Sequence, residues 1–482
     1  MSQLPDYVAS AKPNSFENRA PWLTTTAATY AGIMLWFVFW ANLPGAGGAA
    51  GGVLSQGLLF ALVSLVIAAF ICYFCFYHVP GMLGMKTGLP LYIVGTSTYG
   101  VKGGFLMPGF LMGCLQFGWL SVNGFFAGLG FASIILQKPM DDPEVFMSAL
   151  HLGIGVFWAV VAAFVGLKGI KYVGAVASYL PIIPIVALLY LLACTIGGVF
   201  SFEPKVAVDA VEGGKAVGLY GDGNQIGSLA GQLGVLSLIC AYVVGFFATA
   251  GAAGCDFGSN NKDRHAVIMG GLVGIVGATI FTGVIALIAI AGAQASGLIQ
   301  PSELNPYGAM KLIMGDTIGG VFVALLALAA FPSACFSSLI AANSFKTTLP
   351  KTNPFVSCGI GTVVACLLIV TGFAGQAGDV FTLIGASFGP VCGAMMADYL
   401  LAGKKWAGPR EGFNLAGWIS WGVGFFVGGI TLLVEGFCGG TMPIQIPCPP
   451  VAAFVVGFAL YWILAKAGLE SKKLDMPQRI DL

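Results

Sequence analysis

Two side chains three residues apart, in Gln116-Phe-Gly-Trp119, carry the first chemistry that the sequence offers. On a helix that step puts them on neighbouring parts of one face. The Gln116 amide both donates and accepts, which suits the edge of a lactam, and the Trp119 indole offers a π-face to a flat ring. An amide facing lipid is costly unless paired, so Gln116 is expected to face the protein interior. From spacing alone the plainer arrangement is the stronger one: a Gln bonded to a neighbouring helix, beside a core Trp.

A second group lies in Ala329-Ala-Phe-Pro332-Ser333. Pro332 frees a backbone carbonyl near Ala329, and Ser333 adds a hydroxyl. Such oxygens are ligands for a hard cation, although a proline kink with its hydroxyl bonded back to the helix fits the same residues. Asp398, beside Tyr399, reads either as a proton carrier or, more readily, as an anchor at a helix end. His78, His265 and His151 fall at helix edges and give little support to a proton relay. The sequence holds no His/Cys/Asp/Glu cluster with metal-ligand spacing, no P-loop and no G-x-S-x-G elbow. Neither ATP-driven chemistry nor enzymatic catalysis is expected, and no cofactor.

The elements that must position these residues are membrane helices. Of 482 residues, 57% are hydrophobic and only 9% charged, with mean hydropathy +0.90. Soluble domains carry about 25% charged residues, so most of this surface must face lipid. A spanning helix needs roughly 20 apolar residues, and twelve such runs are found. They include the first, Thr25–Leu43, the third, Phe105–Leu136, the sixth, Leu233–Gly254, the eighth, Ile318–Phe345, and the tenth, Asp379–Ala402. The third is too long for one perpendicular helix: either Pro108 ends a short preceding segment or the helix tilts. With the N-terminus cytoplasmic, seventeen of the 21 Lys and Arg residues fall on the cytoplasmic side, while Asp141, Asp142 and Glu144 lie outside. That is the positive-inside pattern, and it predicts a multi-pass protein of the cell membrane with both termini cytoplasmic. The net charge of +1 points to no nucleic-acid partner. Ten of the twelve cysteines sit in or near apolar runs as core thiols, whereas Cys438 and Cys448 flank a short loop and could pair in an oxidising compartment.

The longest connection falls between the fifth and sixth runs and divides the chain. A cytoplasmic tail (1–24) precedes a first repeat of five spans (25–200). An extracytoplasmic connection (201–232) leads to a second repeat (233–402), two further spans (403–467) and a cytoplasmic tail (468–482). Because five is odd, the second repeat runs upside down relative to the first, as in many secondary transporters. In that plan the first helix of each half is interrupted near the midplane. Span one contains Gly32-Ile-Met-Leu-Trp36, and span six contains Gly245-Phe-Phe247-Ala-Thr249-Ala-Gly251. Such glycines weaken a helix or let helices pack closely; their occurrence at corresponding places in both halves favours a site.

Three patches resemble one family: Lys86-Thr-Gly88 with Tyr99-Gly-Val-Lys102-Gly and Gln116-Phe-Gly-Trp119; Val243-Val-Gly245-Phe-Phe247-Ala-Thr249-Ala-Gly251 followed by Asp256-Phe; and Gly389-Pro-Val-Cys-Gly-Ala-Met-Met-Ala397-Asp-Tyr-Leu400. The chain resembles the nucleobase–cation symporter family of purine, pyrimidine, cytosine and hydantoin carriers. The resemblance implies a leucine-transporter-like fold of five-plus-five inverted repeats, with two extra C-terminal helices. It also implies alternating access driven by a cation gradient. Trp119 would stack on the solute and Gln116 would bond its edge, with Trp36, Phe247 and Thr249 completing the pocket. A Na⁺ ion would be held by carbonyls near Gly32 and Trp36, by that of Ala329, and by Ser333. Na⁺-dependent members carry two adjacent hydroxyl residues where this chain has Pro332-Ser333, and the Asn-rich stretch of cytosine carriers reads Ala334-Cys-Phe-Ser337 here. Coupling to H⁺, and a heterocycle other than cytosine, therefore stay open.

The expected function is import of a nucleobase or related planar heterocycle by Na⁺ or H⁺ symport, with one chain in the lipid bilayer sufficing. An amino acid or small amine as solute is the alternative. A channel is less expected, for want of symmetric pore repeats.

Overall fold

Wherever the apolar runs exceed about 20 residues they form helices long enough to cross a bilayer. The computed structural model describes residues 4–22, 52–140, 142–168, 182–204, 226–299, 306–349, 351–440, 442 and 446–476. Among these are span two (Leu58–Thr87), three (Thr96–Leu136), four (Ala149–Lys168), five (Ile182–Ser201), six (Leu229–Ala252) and seven (Arg264–Ala295). Span eight (Asp316–Phe345), the shorter nine (Pro354–Val370), ten (Ala377–Leu401), eleven (Leu415–Gly436) and twelve (Pro449–Lys466) follow. The first expected span, with Gly32 and Trp36, lies outside the described residues, as does 205–225 of the long connection.

The packing carries the repeat. Span two packs on seven, three on eight and four on nine, each against its counterpart five helices later. Span eight also packs on four as three does on nine, and span five packs on eight as ten does on three. A pattern that survives advancing every helix by five is what two inverted five-helix repeats produce. Spans eleven and twelve pack on span ten, outside this core.

Two helices differ from expectation. Span six does not unwind at Gly245–Gly251: it runs unbroken from Leu229 to Ala252 and turns only at Ala253 into a short helix, Gly254–Gly258. The glycines serve close approach instead. A Cβ on Gly245 would lie 2.6 Å from the Phe381 carbonyl oxygen, and one on Gly251 2.6 Å from the Phe76 Cβ. In span three, a short first segment ends at Gly100, where the backbone leaves the helix (φ +81), and not at Pro108. Pro108 sits in a π-helical turn, Phe105–Phe110, where the wider turn absorbs its missing N–H, and the helix continues over Leu111–Leu136.

Span eight is interrupted where Pro332 predicts. Its first helix ends at Ala329, the chain turns at Ala330, and a second helix starts at Phe331 with the proline in its first turn.

Both described tails lie on one face. Arg19 Nη1 donates to the Met85 carbonyl (2.6 Å), and the Tyr7 hydroxyl donates to that of Val101. The Val101 N–H bonds the Arg410 carbonyl (2.7 Å), and the Leu474 N–H bonds that of Pro409 (2.8 Å). Cys438 and Cys448 are free thiols, the former exposed.

Candidate functional site

Spans three, six and ten converge on Trp119. Its half-buried indole lies over the Phe381 ring, with centroids 4.7 Å apart and planes 30° apart. Phe246 meets it edge-on, at 4.8 Å and 77°. Both geometries are favoured by aromatic quadrupoles. Neither Phe246 nor Phe381 was singled out from sequence. Phe246 and Phe247 are adjacent, and only the register of span six decides which of them faces the indole. Phe247 is 1% exposed and reaches this cluster through Phe246, at 5.2 Å. Thr249 is buried on the same helix. Gln116 is also buried, as expected of an amide in a membrane helix; its Nε2 lies 3.6 Å from the Met112 sulfur, a weak acceptor.

One helical turn beyond Trp119, on the same face, Asn123 meets the break in span eight. Its Nδ2 donates to the Ala330 carbonyl (2.9 Å) and to the Ser333 hydroxyl (2.9 Å). Ser333 in turn donates to the Ala330 carbonyl at 2.7 Å. From span four, the Trp158 indole N–H donates to Asn123 Oδ1 at 3.1 Å. Ser333 thus lies at the break, as does Ala329, but the engaged carbonyl is that of Ala330. Asn123 drew no attention in sequence; the one available signal was its position a turn past Trp119.

Residues 23–407 match a family described as "Permease for cytosine/purines, uracil, thiamine, allantoin". The chain belongs to that permease family. The cytosine permeases of Escherichia coli K12 and of Escherichia coli O157:H7 are each 24% identical to it over 327 residues, 68% of this chain and 67% of theirs. Among solved structures, Mhp1, a nucleobase-cation-symport-1 family transporter, closed with bromovinylhydantoin bound, aligns with a TM-score of 0.62 at 16% identity, covering 97% of this chain and 96% of Mhp1. Inward-facing Mhp1 aligns with 0.64 at 16% identity, over 96% and 95%. The permease shares that fold and is a membrane transporter, not an enzyme.

Elsewhere in the permease, Asp398 is committed to structure. It is 3% exposed and Arg410 is 2% exposed, with Nη2 3.1 Å from Oδ1. Ser97 donates to Asp398 Oδ2 at 2.6 Å, and Arg410 Nη2 also reaches Glu470 at 2.7 Å. The Tyr461 hydroxyl lies 3.1 Å from both carboxylates. A carboxylate so paired anchors the start of span three, the 10–11 connection and the C-terminal tail rather than standing free to carry protons. An apolar recess of about 170 Å³ opens between spans three, nine and ten, beside Phe117, Val364, Leu368 and Ile384. Its lining offers no amide or carboxylate to a polar heterocycle. Among the described residues no group of three His, Cys, Asp or Glu side chains is placed to hold a metal ion.

Proposed function

We propose that the permease imports a nucleobase or related planar heterocycle by alternating access, driven by a cation gradient. The supporting observation is the half-buried Trp119 indole at the meeting of span three with span six and span ten, from opposite repeats. A flat ring replacing Phe381 against the indole would keep the stacking energy, about 1–3 kcal/mol for a base on an aromatic side chain. Gln116, now beside a weak sulfur acceptor, would turn its amide to the edge of the ring. Phe246 would wall the slot, with Phe247 and Thr249 behind it. The E. coli relatives are cytosine permeases, and Mhp1 holds a hydantoin; both solutes are planar rings bearing lactam groups, which is the chemistry that an indole face and a primary amide recognise.

The Lys and Arg asymmetry orients the permease with both tails in the cytoplasm of a cell-membrane protein. Because one chain contains both repeats, a monomer is sufficient. The test is competition uptake in proteoliposomes with purines, pyrimidines, hydantoins and amino acids. A heterocycle is expected to compete at micromolar concentration; competition by amino acids alone would end this reading.

A further inference from the structure

We propose that the Asn123 amide stands in for a sodium ion at the span-eight break, so that the permease binds and moves its solute without Na⁺. The inference rests on the transport reading only in its second half.

At the break Asn123 engages two oxygens, the Ala330 carbonyl and the Ser333 hydroxyl. Such oxygens are the ligands that an alkali cation, as a hard ion, would take there. Each already receives an N–H of the same amide at 2.9 Å. The Ser333 proton is spent on the Ala330 carbonyl at 2.7 Å, so the hydroxyl accepts from Asn123 and donates across the break. The direction of the amide is fixed from its other side. An indole N–H is a donor only, and that of Trp158 lies 3.1 Å from Oδ1. Exchanging the amide oxygen and nitrogen would set donor against donor at Trp158 and oxygen against oxygen at Ala330. Trp158 is itself held edge-on by Phe331, the first residue of the second half of span eight, at 5.1 Å. The positive end of the amide dipole therefore faces the break, and the one Asn123 atom able to ligate a cation is turned away.

Coupling demands a ligand that leaves. An ion links a gradient to the conformational cycle because the closed break is favoured only while the ion is bound. A side chain is present in every state at constant concentration and carries no gradient. Spans three, four and eight are thus joined at a neutral junction that needs no ion.

The experiment is thermal unfolding of the purified full-length permease in NaCl, KCl and choline chloride at equal ionic strength, with no solute present. An error in the solute therefore cannot alter the result. Wild type is expected to melt at the same temperature in all three salts. Asn123→Asp places a carboxylate oxygen against the Ala330 and Ser333 oxygens and is expected to gain a saturable rise specific to Na⁺. Trp158→Phe, the milder change, frees the amide to turn its oxygen inward and is expected to gain a smaller rise. A saturable Na⁺-specific shift in wild type, lost in Ser333→Ala, would overturn the proposal. Insensitivity of both Asn123→Asp and Trp158→Phe would overturn it too, by showing that no cation position exists there. In proteoliposomes, replacing Na⁺ by choline should change the wild-type initial uptake rate less than twofold.

Discussion

The indole of Trp119, in the first repeat, lies over the ring of Phe381, in the second, with centroids 4.7 Å apart and planes 30° apart. The contact joins span three of one repeat to span ten of the other. Phe246 closes the third side at 4.8 Å. Aromatic rings from both repeats thus meet on one indole, the surface proposed above to stack on a flat solute.

Adjacent phenylalanines on span six should separate binding from stability. Phe247 is 1% exposed, so Phe247→Ala should cost about 3–5 kcal/mol of stability through the cavity it leaves. Phe246→Ala, at the edge of the indole, should lower solute affinity several-fold with a smaller loss of melting temperature. Melting curves and solute titrations on the two purified variants check this. The reverse assignment would show that the register of span six differs from that described.

Much of this architecture was legible because membrane helices are written in runs. Apolar length and the placement of Lys and Arg delimited the spans and the odd-numbered repeat, which the helix packing then displayed. Pro332 announced the break in span eight, because a missing N–H is a local and obligatory effect. Glycine was ambiguous by nature. Gly245 and Gly251 weaken a helix in isolation, yet here they permit contacts with Phe381 and Phe76 that hold span six straight, and such contacts are decided by a partner helix far away in sequence. Asn123 and Phe246 were missed for the same reason. Which side chain meets another helix depends on tertiary register, which no local spacing reveals.

The ion pair between Arg410 and Asp398 should be a stability determinant of the face where the tails meet. Arg410→Ala strands a buried carboxylate, and breaking such a pair costs about 3–5 kcal/mol. Arg410→Lys should restore only part of this. A single ammonium cannot reproduce the guanidinium contacts to Asp398, Glu470 and the Ser97 carbonyl together. Thermal unfolding of both variants in detergent measures it, and an unchanged midpoint for Arg410→Ala would refute the assignment.

Asp256, just beyond span six, accepts the Leu91 N–H at 2.9 Å and ties the 6–7 connection to the 2–3 connection. Partial burial pushes its carboxyl up from 3.8 to about 6, with the Leu91 bond pulling the other way. A carboxyl raised on folding costs stability when ionised. Its folded form therefore gains stability as pH falls from above 6 towards 3.8, on the order of 1–2 kcal/mol. Melting temperature compared at pH 7.5 and 5 should show this contribution, and Asp256→Asn should remove it. A variant whose pH profile matches wild type would contradict it.

Cys438 offers a test of orientation. It is an exposed free thiol between spans eleven and twelve, on the side assigned to the exterior. In a variant keeping only this cysteine, a membrane-impermeant maleimide should label intact cells. Labelling only after the membrane is opened would invert the topology.

The most direct test of the account is solute binding to purified wild type and Trp119→Ala, measured as thermal stabilisation across purines, pyrimidines, hydantoins and amino acids, since a ligand stabilises in proportion to the logarithm of its concentration over its dissociation constant. The account predicts that at least one planar heterocycle stabilises wild type saturably, and that Trp119→Ala weakens that ligand by roughly five- to 150-fold, the equivalent of 1–3 kcal/mol, while still melting cooperatively. Stabilisation by amino acids alone, or equal heterocycle affinity in the two proteins, would contradict it.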